Sequence, residues 1–378
     1  MHSIATMNKD LVNSNGVGLT NDSPEGLNTT KGNDTILKFM IKSKIDVLEN
    51  EMKNKYPDVL ETLLFDRTTR NNILWATDNY ISLGKGYEHN SSITTELVTG
   101  THGNIILPRS KKIKSIQQAR SRDMAEVFTP SWVCNAQNNL IDNAWFGCEN
   151  VFNTEKEKPD GTKNWEINRN KVVFPKGKTW RHYIKENRLE VACGEAPYIT
   201  SRYDTTTGEF ISVENRIGLL DRKLRVINEN IDTSGDWLEA AQTAYKSIYA
   251  FEWQGDNLLL AREAMLITFI ENYLLKFGKE PLLKSIKYIA YIISWNVWQM
   301  DGLKGVVPYS CKNQVTEQHN LFGDIEKTIK QCEGCTKENI TKHNGNYCII
   351  RDWNYNDTKL GKKGRKIKFV ELLQRITK

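Results

Sequence analysis

The stretch that decides the fold is "RLEVACGEAPYITSRYD", Arg188–Asp204. "RLEVAC" reads as a short apolar strand, followed by a turn of small residues and a helix. Working outward, "SIYAFE" (247–252) repeats the strand pattern. It feeds a long helix from Asp256 to about Phe277, with Leu258, Leu259, Ala261, Met265, Leu266 and Phe269 at helical spacing. An insertion lies between the two strands. It holds a hairpin around Thr207-Gly208-Glu209 and two helices, Ile217–Asn228 and Trp237–Lys246. A further apolar helix is expected over Leu282–Trp298, and "NYCIIRD" (346–352) reads as a third strand. Strands alternating with helices predict an α/β protein with a parallel, doubly wound sheet. Ligands of such sheets sit outside the carboxyl ends of the strands.

Hydrophobic residues make up 39% of the 378 and charged residues 26%, enough for a packed core and too apolar for disorder throughout. The longest apolar run, "IKYIAYIISWNVW" (286–298), contains a lysine and falls short of the ~18–20 residues a membrane span needs. The opening "MHSIATMNKD" holds no apolar signal-peptide core. A soluble, cytoplasmic chain without membrane contact is expected. The net charge of +6 is mild, but it is concentrated in two clusters. One is Arg109, Lys111, Lys112, Lys114, Arg120 and Arg122; the other is Lys359, Lys362, Lys363, Arg365, Lys366 and Lys368. A charge run alone is an ordinary solvated face, yet both flank motif-bearing segments, so at least one is expected to meet phosphate.

The residues to inspect are those at the strand ends. Glu190 lies within the first strand, and the small residues after it allow a close backbone approach to a ligand. Glu252 ends the second strand, where a carboxylate can accept both hydroxyls of a ribose. Trp253 follows it and is expected against an adenine ring. Asp352 and Trp353 end the expected third strand, where an adenine amine would donate. Any one of these acids is more simply a cap or turn residue; three at successive strand ends argue for a site.

At this point a family resemblance becomes specific. "RLEVACGEAPYITSRYD" resembles motif I of the gamma-type, S-adenosylmethionine-dependent adenine-specific DNA methyltransferases of restriction-modification systems. "AEVFTPSWVCNAQNNLID" (125–142) resembles their motif X, which precedes motif I in that arrangement, as here. "YAFEWQGDNLLLARE" (249–263) is similar to motif II and "CIIRDWN" (348–354) to motif III. The resemblance covers roughly residues 105 to 378. It implies the first half of a Rossmann-like class I methyltransferase sheet that binds S-adenosylmethionine and acts on DNA. Phe128, Thr129 and Pro130 would pack on the methionine moiety, with Glu190, Cys193 and Gly194 at the same end. Glu252 would hold the ribose and Asp352 the adenine, with Trp253 and Trp353 as the aromatics beside them. The implied organisation is a flexible arm (1–33), a mainly helical region (34–120), a cofactor-binding domain with motifs X, I and II (121–306), a cysteine-rich insert (307–348), and the third strand with a basic C-terminal segment (349–378). "GNIILP" (103–108) is expected as a strand, and "DRTTRNNILWATDNY" (66–80) as a structured feature without assigned chemistry.

Methyl transfer in that family needs an Asn/Asp/Ser-Pro-Pro-Tyr/Phe tetrapeptide to hold the flipped base. None occurs here; "VVPYS" (306–310) and "EAPY" (195–198) lack the acceptor and the double proline. No catalytic residue is therefore assigned. Half a sheet also leaves its first strand as an open edge. The expectation is a cofactor-binding subunit of an adenine methyltransferase, from a restriction-modification or phage-defence system, whose partner polypeptide brings the catalytic motif and DNA recognition. The alternative is a catalytically silent cofactor-sensing or scaffold module in a defence complex.

Seven cysteines without a signal peptide do not suggest a disulfide framework. Four of them crowd together. Cys332-x-x-Cys335 is a metal knuckle, with Cys311 before it and Cys348 after it. Four thiolates, or three with a histidine, suit tetrahedral zinc in a structural role. The expected set is Cys311, Cys332, Cys335 and Cys348, with His343 as the main competitor and His319 as a further spare nitrogen.

Overall fold

The computed structural model describes residues 46, 49–124, 126–319, 325–357 and 362–376. The expected arm of residues 1–33 lies outside them. Two short helices, α1 (Glu49–Lys55) and α2 (Val59–Leu64), come first. Irregular chain with brief helical turns then runs to residue 113, and "GNIILP" forms no strand. Helices α3 (Lys114–Met124) and α4 (Ser131–Phe146) follow, then an antiparallel hairpin of β1 (Asn153–Glu157) and β2 (Lys163–Ile167), and α5 (Trp180–Lys185).

The centre is a three-stranded parallel sheet. Strand β3 (Arg188–Val191) leads through α6 (Leu219–Asn230) and α7 (Ser234–Lys246) to β4 (Ile248–Glu252). That strand leads through α8 (Gly255–Phe277) and α9 (Leu283–Asn296) to β5 (Val297–Gln299). The order is β3-β4-β5. Local chemistry sets the helix ends. Thr233 Oγ1 accepts the Asp236 amide at the start of α7, and Gly278, at φ +67°, closes α8.

The third strand is therefore Val297–Gln299, not "NYCIIRD". An unbroken apolar run fits helix and strand equally well, so periodicity cannot place the boundary inside it. Asn296 places it: its Nδ2 donates to Tyr245 O (3.0 Å) and Ile248 O (2.9 Å), which ends α9 and aligns Val297 with Ala250. The expected third strand is instead β8 (Ile349–Asp357), paired antiparallel with β9 (Lys362–Lys368) and followed by α10 (Phe369–Ile376). A second hairpin, β6 (Gln314–His319) and β7 (Ile325–Lys330), precedes it.

Strand alternation sorts the sheet residues between two cores. Ile248, Ala250 and Val297 join the large helical core, which also takes Ile73, Trp75 and Ile93. The N-terminal region thus shares one core with the sheet across residue 120. Phe251 and Trp298 point the other way, into a smaller core with Cys348, Ile350, Ile367 and Phe369. Among the described residues no strand pairs with the outer edge of β3, where Leu189 and Val191 are 46% and 63% exposed. No helix among the described residues is long and apolar enough to cross a membrane.

The two regions join most tightly where α8 begins. The Gly255 amide donates to Trp75 O (2.9 Å), and a Cβ on Gly255 would lie 2.0 Å from Leu74 O. Gly255→Ala is expected to cost about 1–3 kcal/mol, the usual range for overpacking. Urea unfolding checks this; an unchanged midpoint would contradict the contact.

Candidate functional site

A cleft of about 710 Å³ opens at the carboxyl ends of β3 and β4. Its floor is the turn after β3, in which Ala192 (φ +50°) and Gly194 (φ +53°) both take the left-handed conformation. Glycine pays nothing for this, whereas alanine is strained, so the turn must be held from outside. Glu252 holds it. Its Oε2 accepts the Gly194 amide (2.8 Å) and its Oε1 the Gln254 amide (3.2 Å), tying the β3 turn to the end of β4. Burial pushes the Glu252 carboxyl above its ordinary range.

Glu190 projects from β3 beside it. Its Oε1 accepts the Tyr198 amide (3.4 Å), and its Oε2 is buried without a protein partner. Burial pushes this carboxyl up to about 8. The remaining lining adds Asp78, Asp123 and Glu126, which makes five acids with no lysine or arginine. Glu126 and Asp123 are paired with Arg120 and Arg122, which leaves Asp78, Glu190 and Glu252 to favour a ligand carrying positive charge over a polyphosphate.

One wall comes from residues 126–129. The Phe128 ring lies against Gly194 and under the Arg109 guanidinium, 4.9 Å from the ring centre. Arg120 fixes the approach to this segment from inside. It pairs with Glu126, donates to Asp256 Oδ2 (2.8 Å) and donates to Gln254 Oε1 (2.7 Å). Burial alone would raise Asp256, but Arg120 and Lys112 outweigh it and hold the carboxyl well below its usual range. The opposite wall is aromatic. Trp253 meets Tyr309 edge-on at 5.3 Å, and Tyr309 meets His89 at 4.9 Å. Trp253 Nε1 is anchored on Ala76 O (3.2 Å).

Seven residues expected from sequence therefore share one cleft: Phe128, Thr129, Glu190, Cys193, Gly194, Glu252 and Trp253. Pro130 stands just behind Thr129, at the start of α4, outside the lining. Asp352 and Trp353 are corrected. They sit on the antiparallel β8, where Asp352 pairs with Arg365 (3.3 Å). Trp353 Nε1 donates to Asn296 Oδ1 (2.7 Å), at the amino end of β4 and away from the cleft. Sequence reasoning missed Thr77, Asp78, His89, Gln254, Asn257 and Tyr309. The "WATD" segment (75–78) stood out in the sequence, but nothing local shows that it folds back over α8.

The cysteine-rich insert forms a second constellation. Ligand atoms of Cys311, Cys332, Cys335 and His343 all lie within 4.8 Å of one another. The three sulfurs stand 3.6, 3.7 and 3.5 Å from His343 Nδ1. A tetrahedral zinc ion with ordinary bond lengths places sulfur and nitrogen ~3.6 Å apart, so the set could hold zinc. Gly334 makes the knuckle possible, because a Cβ there would lie 2.6 Å from the His343 amide nitrogen. Cys348 is not a member. It is fully buried in the smaller core, with its Sγ 3.3 Å from Gln299 O, and His343 takes its place. His319 falls outside the described side chains. Tyr309, which enters the cleft, lies two residues before Cys311 in the chain.

No family model, no curated protein and no solved structure matches this chain. The ligand set makes its own test by elemental analysis of the purified, untagged protein. Cys348→Ala is expected to keep about one zinc per chain, while His343→Ala and Cys335→Ser lose most of it. Equal retention in all three would contradict the assignment.

Proposed function

We propose that the cleft binds S-adenosylmethionine and that the chain is the cofactor-binding subunit of an adenine-specific DNA methyltransferase of the restriction-modification or phage-defence type. One observation carries the reading. Three segments far apart in sequence, 126–129, 190–194 and 252–254, converge on an acid-rich cleft at the carboxyl ends of parallel strands. In this reading the sheet is the first half of a Rossmann-like methyltransferase fold.

The residues divide the ligand by chemistry. Glu252 has lone pairs left after accepting two amides and takes the ribose hydroxyls. Trp253 and Tyr309 offer the adenine an aromatic wall. Glu190, with a buried oxygen lacking a protein partner, faces the cationic methionine end beside Phe128. With Asp352 elsewhere, the adenine amine falls to the polar groups around Gln254 and Asn257. The metal of the knuckle is zinc in a structural role, since four protein ligands leave no open position.

In this reading the catalytic tetrapeptide, which these 378 residues do not hold, is brought by a second polypeptide. The open edge of β3, with Leu189 and Val191 exposed, suits the strand such a partner would add. The same lack of a catalytic motif favours the second reading, a silent cofactor sensor with the same pocket. Methylation of DNA in the presence of the partner separates the two.

Calorimetry with S-adenosylmethionine tests the reading. One site per chain is expected, weakened about tenfold or more by Glu252→Gln, as for loss of a hydrogen bond to a charged group. No measurable binding to the wild type would refute it. The pH dependence follows from Glu190. At pH 7 its carboxyl, with a pKa of about 8, is mostly protonated. A cationic ligand favours the ionised form, so binding releases a proton and tightens as pH rises from about 6 to about 9. Glu190→Gln abolishes that proton release; release unchanged in this variant would assign it to another group.

A further inference from the structure

The cleft is acidic, yet a nucleic acid is a polyanion, so its backbone must be held elsewhere. The geometry points to a groove beside the cleft, between α3 and Arg109, as the site that grips the phosphodiester backbone of DNA. This deepens the functional reading above and rests on it for the identity of the polymer.

The groove encloses about 520 Å³ and is lined by Arg109, Lys114, Gln117, Gln118, Ser121 and Arg122. Five of these fall at positions 114, 117, 118, 121 and 122, which is one stripe along a helix. Every lining side chain carries an N–H or O–H donor, three are cations, and no carboxylate lines the groove. Five of the six residues of the first basic cluster divide in two. Lys112 and Arg120 turn inward to Asp256, while Arg109, Lys114 and Arg122 face the groove. Arg122 shares its charge with the neighbouring Asp123 (2.6 Å); among the described residues Arg109 and Lys114 form no ion pair.

Arg109 connects the two sites. Its Nη2 donates to Ser121 Oγ (2.9 Å), and its Nε is buried without an acceptor. Its guanidinium also lies over Phe128, a wall of the acidic cleft. Groove and cleft therefore share the Arg109–Phe128 partition, and a strand lying along α3 passes the mouth of the cleft. The stripe covers eight residue steps, ~12 Å of helix. One strand of duplex carries about three charges over that length, so an open groove of this reach suits a polymer better than a single enclosed phosphate.

The test uses the full chain and a fluorescently labelled, mixed-sequence DNA, as duplex and as single strand, with anisotropy read over rising salt. Lys114→Gln with Arg122→Gln removes two exposed cations, neither of which lines the cofactor cleft. The double variant is expected to weaken DNA binding about tenfold and to lower the slope of log affinity against log salt by about 2. Its affinity for S-adenosylmethionine should stay within about twofold of wild type, which also shows that it is folded. Wild-type affinity and slope in the variant, or a wild type that binds neither DNA at low salt, would overturn the groove. DNA binding that depends on these residues in a protein that ignores S-adenosylmethionine would leave the groove standing and remove the cofactor reading.

Discussion

The site depends on one carboxylate. Glu252 sits at the end of β4 and accepts amides from both flanking turns, Gly194 on one side and Gln254 on the other. Without it, two consecutive turns at the sheet's edge would have no common anchor, and the strained Ala192 would relax. A buried carboxylate is costly unless such donors surround it. Its second set of lone pairs is what a bound ligand can use, so fold and binding rest on the same side chain.

Around this anchor, the fold recruits distant chain to build the walls. The helix that starts at Gly255 pins the 74–78 segment, the buried Arg120 network fixes residues 126–129, and Trp253 and His89 flank Tyr309. Each wall is held by a different kind of interaction: close backbone contact, a buried ion network, and aromatic contact. The result separates charge by sign. Five acids line the cleft, while Lys114 and Arg122 of α3 face the groove behind Phe128.

Much of this was legible in the sequence. The β3 and β4 strands and the long α8 helix followed from apolar patterning, Glu190, Glu252 and Trp253 from their places at strand ends and Gly194 from the small-residue turn, while Phe128, Thr129 and Cys193 were named only through the family resemblance. What was illegible is non-local. Val297–Gln299 hides in an apolar run where helix and strand patterns coincide, and only the Asn296 side chain reveals the break. Asp352 then lost its place because "NYCIIRD" pairs with β9 instead of the parallel sheet. Cys348 and His343 are equally good ligands by spacing; burial in the smaller core removes the first and the fold of the knuckle selects the second. Tyr309, His89 and Asp78 carry no motif, because their role exists only once the chain has folded back.

Hydrogen exchange by mass spectrometry, with and without S-adenosylmethionine, reads the central idea at the backbone itself. The account predicts that the ligand slows exchange together in peptides covering 126–130, 190–198 and 252–257, with the β8–β9 hairpin unchanged. Protection confined to any other surface, or none at saturating ligand, would contradict it.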